Sequence, residues 1–133
     1  MEQFNPREIN TTALAFIGDA VYEVFIRKHV MESGQKNADM LHKMAVTYVR
    51  AEAQAKAIKS LMRDFLTEEE TAIVKCARNH KSVSKSRSAG PVAYKLATAF
   101  EALIGYLYLD GQDERMTEIV KEAVGRIEGD KNE

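Results

Sequence analysis

Two acids lie where an amphipathic helix would carry apolar side chains. FIGDAVYE, residues 16–23, places Asp19 inside one apolar run, and AFEALIG, residues 99–105, places Glu101 inside another. Small residues frame both at helical spacing: Ala15 one turn before Asp19 with Gly18 beside it, Ala97 one turn before Glu101 and Gly105 one turn after. Such neighbours let two backbones, or a backbone and a ligand, approach closely. A carboxylate taken out of water without a partner is strongly disfavoured or takes up a proton, so something must offset its burial. If the two helices pack together, Asp19 and Glu101 can meet in a cleft as oxygen ligands. Mg²⁺ typically takes one or two carboxylates and keeps water or substrate phosphate in its other positions. Spacing alone leaves a second reading open, because single acids on helices commonly face solvent or form ordinary ion pairs. Glu23, one turn beyond Asp19, is better read as the i,i+4 partner of Arg27 than as a third ligand.

The elements that must position these acids are helical. Leu14, Phe16, Ile17, Val21, Val24, Phe25 and Val30 recur with helical period, with Asn10 to Thr12 as caps and Ser33-Gly34 as the stop, which predicts a helix over 12–32. Asn37 can cap a second, long helix over 38–63 carrying Met40, Leu41, Met44, Val46, Val49, Ala53, Ala57, Ile58 and Leu61. Thr67-Glu68-Glu69-Glu70 has the pattern of a capping box and opens a helix through Asn79. HKSVSKSRSAG, residues 80–90, has no apolar period and reads as an exposed loop. Gly90-Pro91 restarts the chain as a helix to Leu109, ended by Asp110-Gly111. A last amphipathic helix spans 113–128, and fraying is expected from Asp130. The whole is an all-α chain, read as a single domain over 1–133.

Charge is distributed unevenly. Residues 75–95 hold six of the 19 Lys and Arg (Lys75, Arg78, Lys81, Lys85, Arg87, Lys95) and none of the 20 Asp and Glu, a segment of +6 in a chain of net −1. By charge alone this is equally a polyanion-binding surface or a solvated loop. The single cysteine, Cys76, excludes an intrachain disulfide and a Cys-based zinc site, and reads as a half-buried structural thiol. His29, His42 and His80 lack metal-site spacing and read as surface or boundary residues. With 45% hydrophobic and 29% charged residues, the disordered and membrane-spanning classes are disfavoured. The N-terminus MEQFNPREIN has no secretory pattern, so the expected location is the cytoplasm.

LAFIGDAVYE at 14–23 resembles the signature of the ribonuclease III family, and FEALIGYLYLDG at 100–111 resembles its second acidic motif, in the expected order. ARNHKS at 77–82, GYLYL at 105–109 and the absence of room after Glu133 for a double-stranded-RNA-binding domain resemble the short, mini-ribonuclease III type. The resemblance implies a ribonuclease III endonuclease-domain-like helical bundle, homodimeric, with two active sites along a valley that accepts an RNA duplex. It maps the family's aspartate onto Asp19 and its last glutamate onto Glu101, as catalytic residues and ligands of Mg²⁺, with Mn²⁺ as the alternative. Longer members carry four acids per site. Here Thr12 or its neighbourhood and Thr98 stand at the other two positions, and Ala15 replaces a further acid of the signature. The implied reaction is metal-assisted hydrolysis of phosphodiester bonds in double-stranded RNA, with 5′-phosphate and 3′-hydroxyl products. The implied substrate is ribosomal RNA precursor of the large subunit.

On this reading Arg78, Lys81, Lys85 and Arg87 are the RNA contacts, since A-form RNA is gripped through phosphates, 2′-hydroxyls and shape. Phe16, together with Tyr106 and Tyr108, offers apolar surface for the dimer interface. A ribonuclease III-like dimer that holds structured RNA without cutting it is the alternative, against which the intact Asp19 and Glu101 count. A purely structural helical dimerisation domain is a third reading, disfavoured by the charge asymmetry.

Overall fold

A computed structural model describes residues 5–80 and 90–131, and in them every regular element is helical. After a 3-10 turn at Pro6–Glu8 come α1 (Thr11–Met31), α2 (Ala38–Val49), α3 (Ala51–Asp64), α4 (Glu68–Arg78), α5 (Pro91–Leu109) and α6 (Asp113–Lys131). The starts follow local chemistry. Asn10 accepts the Ala13 amide, Asn37 accepts the Met40 amide, and Thr67 and Glu70 form the reciprocal capping box. Pro91 occupies the first turn of α5, and Gly111, at φ 77°, turns the chain out of its end.

The segment 38–63 is not one helix. A straight helix of that length would run for about 39 Å and could not fold back on a small core. At Arg50 the backbone is extended (φ −66°, ψ 151°). The Arg50 amide closes α2 on the Val46 carbonyl, and the Arg50 carbonyl opens α3 by accepting the Gln54 amide. The side chain of Gln54 donates to the Val49 carbonyl at 2.7 Å, occupying an acceptor that the break exposes. Neither proline nor glycine marks the site, so periodicity ran through it. The bend lays α3 against both α5 and α6.

Helix α5 is the centre of the molecule and packs on α1, α3, α4 and α6. From Leu96 to Leu107 all its residues are buried except Thr98 and Glu101, which are partly exposed. A helix apolar around its whole circumference must be enclosed. Its neighbours supply Tyr22 and Ile26 from α1, Ile58 and Leu61 from α3, Val74 from α4, and Ile119, Val120 and Ala123 from α6, all essentially without solvent contact. Tyr22 meets Phe100 edge-to-face with ring centres 5.0 Å apart and donates its hydroxyl to the Tyr48 carbonyl at 3.0 Å.

The α1–α5 contact is made backbone to backbone. A Cβ added at Gly18 would overlap the carbonyl of Glu101, and one added at Gly105 would overlap the carbonyl of Leu14. Each glycine thus clears the path for the other helix, which is why both acids are framed by small residues. Two ion networks tie the periphery. Buried Glu70 accepts a two-pronged bond from Arg115 (2.8 and 2.9 Å), linking α4 to α6. Burial alone would raise the Glu70 pKa, but Arg115 and the Thr67 amide outweigh it and hold the carboxyl below its ordinary range. On the other side, Glu128 accepts from Tyr48 at 2.6 Å and bonds His29 at 2.8 Å. Cys76 is exposed rather than half-buried: it follows Lys75 on the outward side of α4, while Val74 and Ala77 take the inward side. Tyr106 is buried within the chain's own core and offers no intersubunit surface, whereas Tyr108 is exposed.

Candidate active site

Because Gly18 must face α5, its neighbour Asp19 falls at the edge of the helix contact, exposed to a cleft. Thr12, Ala15 and Phe16 line the same cleft from α1. On α5 the matching face is Tyr94, Lys95, Thr98 and Glu101, and Ala77 of α4 and His80, just past that helix, close the end. The cleft encloses about 270 Å³. The two acids, far apart in sequence, meet here: both line the cleft, and the Asp19 charge acts on the Glu101 carboxyl. Thr12, Ala15 and Thr98, expected where longer enzymes carry acids, line the cleft as uncharged residues. The Thr98 hydroxyl is turned back to donate to the Tyr94 carbonyl at 2.9 Å.

The two carboxyls differ in environment. Asp19 is exposed, while Glu101 is partly buried. Burial, then the Asp19 charge and the hydrogen bond to Asp19, push the Glu101 carboxyl up to about 8. The side-chain amide of Gln54 acts in the opposite direction. The phenol of Tyr22 is also raised, by burial first and then by the Glu101 charge, and so stays protonated. At neutral pH the cation-free pair therefore holds a proton. A divalent cation satisfies such a pair: it cancels the repulsion that raises Glu101, and the exposed side of Asp19 leaves room for water or phosphate. Among the described residues no group of three or more His, Cys, Asp or Glu side chains could hold a metal ion, and the acids that line the cleft are these two.

Gln54 escaped the sequence reading. It is 2% exposed, donates to the Val49 carbonyl, and has a buried Oε1 with no partner among the described residues. Its only local signal is one amide within AEAQAKA, in register with Ile58 and Leu61. His80 and Lys95 are likewise cleft residues that spacing did not single out. Glu23 is not among the residues that line the cleft and lies 3.7 Å from Arg27, as the i,i+4 spacing predicted. Phe16 is 81% exposed at the cleft's edge. Arg78 lies outside the cleft, on the other side of α4 in a groove shared with α3. Lys81, Lys85 and Arg87 lie outside the described residues.

Residues 12–112 match the ribonuclease III domain family. A mini-ribonuclease 3 of Brevibacillus brevis is 47% identical over 126 residues, covering 95% of this chain and 93% of that protein. One of Enterococcus faecalis is 40% identical over 128 residues, covering 96% of each. A crystal structure of a Fusobacterium nucleatum protein superposes with a TM-score of 0.79 at 36% identity, covering 90% of this chain and 94% of the other.

Proposed function

We propose that this chain, which belongs to the ribonuclease III family, is an endoribonuclease that cuts double-stranded RNA with a divalent cation held by Asp19 and Glu101. The observation that carries this reading is the meeting of two carboxylates from distant segments in one cleft, brought there by the reciprocal glycine contact of α1 and α5. Bound there, Mg²⁺ or Mn²⁺ would neutralise charge at the scissile phosphate and lower the pKa of an attacking water. Asp19, at the open side, orients toward substrate. Glu101 must release its proton to become a ligand, so cation binding strengthens as pH rises toward 8. Lys95 lines the same cleft and brings positive charge for phosphate. No side chain is needed as a covalent nucleophile. The products carry 5′-phosphate and 3′-hydroxyl ends, and the substrate class is large-subunit ribosomal RNA precursor.

The test is a structured RNA duplex incubated with and without Mg²⁺, using wild type and Asp19→Asn. Cutting by wild type that requires the metal and falls at least about 100-fold in the folded variant supports the proposal, a loss on the scale of removing charge stabilisation at the reacting centre. Duplex binding without cutting under any divalent metal would instead leave a non-catalytic RNA-binding dimer.

A homodimer is part of the same reading. Phe16 stands in solvent beside the cleft, and a large apolar ring there gains its burial from a second copy. Phe16→Asp is expected to weaken dimerisation by roughly 2–4 kcal/mol, as loss of an interface anchor does. Sedimentation velocity reads this as a shift to monomer, and an unchanged profile refutes it. No helix among the described residues is long and apolar enough to cross a membrane.

A further inference from the structure

A second concavity, about 940 Å³, lies between α3, α4 and the start of α5. Its floor is apolar, with Ala53, Ala57, Leu96 and Ile127, and its walls are basic. Lys59 and Arg63 project from α3 four residues apart, and Lys75 and Arg78 from α4 three apart, so each helix presents a stripe of positive charge to the shared groove. Arg50 stands at the head of α3, and the single acid in the lining is Glu52. Among the described residues Arg50, Lys59, Arg63, Lys75 and Arg78 have no carboxylate partner, whereas Arg126 at the groove's edge is held by Asp64 and Glu122. Like charges facing one another across a groove repel, and an anion between them removes that cost.

The helix ends add to this field. Asn10, Asn37 and Thr67 cap α1, α2 and α4, but α3 and α5 have no side-chain cap, and residues of both first turns line the groove. Uncapped amides and the positive end of the helix dipole suit phosphate.

The direction of the groove selects the kind of polyanion. Val92 and Leu96 face it, while Tyr94, Thr98 and Glu101 face the catalytic cleft, so the two concavities open on different sides of α5. A stiff duplex lying in the cleft cannot also turn into the groove, but a single strand leaving that duplex can. Apolar floor and cationic walls match the two faces of a single strand, bases and phosphates. We propose that this groove holds a single-stranded RNA flank of the substrate whose duplex part lies in the cleft. The inference rests on the reading of this chain as a duplex-RNA endonuclease and adds a determinant of substrate choice: duplexes with an unpaired tail are preferred over blunt ones.

Lys59 and Arg63 are both exposed, so Lys59→Gln/Arg63→Gln leaves the core untouched. Dissociation constants are measured with divalent metal chelated, for a blunt RNA duplex and for the same duplex with a single-stranded tail. Wild type is expected to bind the tailed RNA about 10-fold more tightly than the blunt one, and the double variant to lose that gain. Its salt dependence on tailed RNA should fall by roughly 1.4 in log–log slope, two phosphate contacts at about 0.7 each for a single strand. Equal binding of tailed and blunt RNA by wild type overturns the proposal, as does a tail effect that survives in the variant. Wild-type cutting of the blunt duplex in Mg²⁺ separately reports on the duplex-nuclease reading, so failure of one is not confused with failure of the other.

Discussion

Glu101→Gln is expected to abolish RNA cutting while making the metal-free protein more stable. The activity loss, about 100-fold or more, follows if Asp19 and Glu101 hold the cation as proposed, since among the described residues no third acid lines the cleft. The stability gain follows from proton linkage. In the folded, cation-free chain Glu101 ionises near 8, whereas its ordinary value is 4.5. Between those values the folded state keeps a proton that the unfolded state has released, so stability falls as pH rises from 4.5 through 8 and levels off above it. A glutamine cannot ionise and escapes that penalty. Allowing for partial solvent access, the variant should gain roughly 1–3 kcal/mol over wild type at pH 8 and nothing below pH 4. Thermal or urea unfolding at the two pH values in chelator measures this. If the proposed site binds the ion, adding Mg²⁺ should then stabilise wild type and leave the variant unchanged, as a ligand held only by the wild-type native state does. A variant less stable than wild type at pH 8 would mean that Glu101 is not held against its charge.

Gly18→Ala carries the second large effect, on the fold itself. Alanine in place of glycine in a helix ordinarily gains about 1 kcal/mol. At Gly18 the new methyl overlaps the carbonyl of Glu101, a backbone atom that cannot swing aside, so α1 and α5 must separate. We expect a net loss of roughly 3–5 kcal/mol, which for a stability on the order of 5–15 kcal/mol removes much of the total. Gly125→Ala in α6 is the control: a Cβ there meets nothing within 4 Å, and the substitution should stabilise by about 0.5–1 kcal/mol. Circular dichroism melts of the pair should therefore move in opposite directions. If Gly18→Ala melts with or above wild type, the helices do not touch through their backbones. Because the same contact sets Asp19 beside Glu101, cutting should fall further than the folded fraction does.

The chain's local signals were sufficient for much of this architecture. Asn10, Asn37, the Thr67–Glu70 box and Gly90-Pro91 act on amides within a turn of themselves, and each starts the helix it was expected to start. The apolar residues of α6 at helical period are those found buried, and so are nearly all those of α5, but on α1 Tyr22 and Ile26 enter the core while Phe16 and Val24 of the expected stripe stand exposed. Asp19 and Glu101, singled out as charge amid small apolar neighbours, do meet, because the glycines that made them conspicuous are the ones that let the two helices touch.

Tertiary placement decided the rest. The break at Arg50 has no proline or glycine to announce it and exists because α3 must fold back onto α5 and α6. Gln54 reaches the Val49 carbonyl and acts on Glu101 only once that bend has been made. The elevated proton affinity of Glu101 depends on burial and on the charge opposite, neither of which a neighbour in sequence supplies. The basic groove joins Lys59 and Arg63 of α3 to Lys75 and Arg78 of α4, charges that counted along the chain belong to separate segments. Helix starts and apolar periods are short-range and therefore written in adjacent residues; a site's protonation, its hidden donors and its second surface depend on distances that arise only when α5 is enclosed by its neighbours.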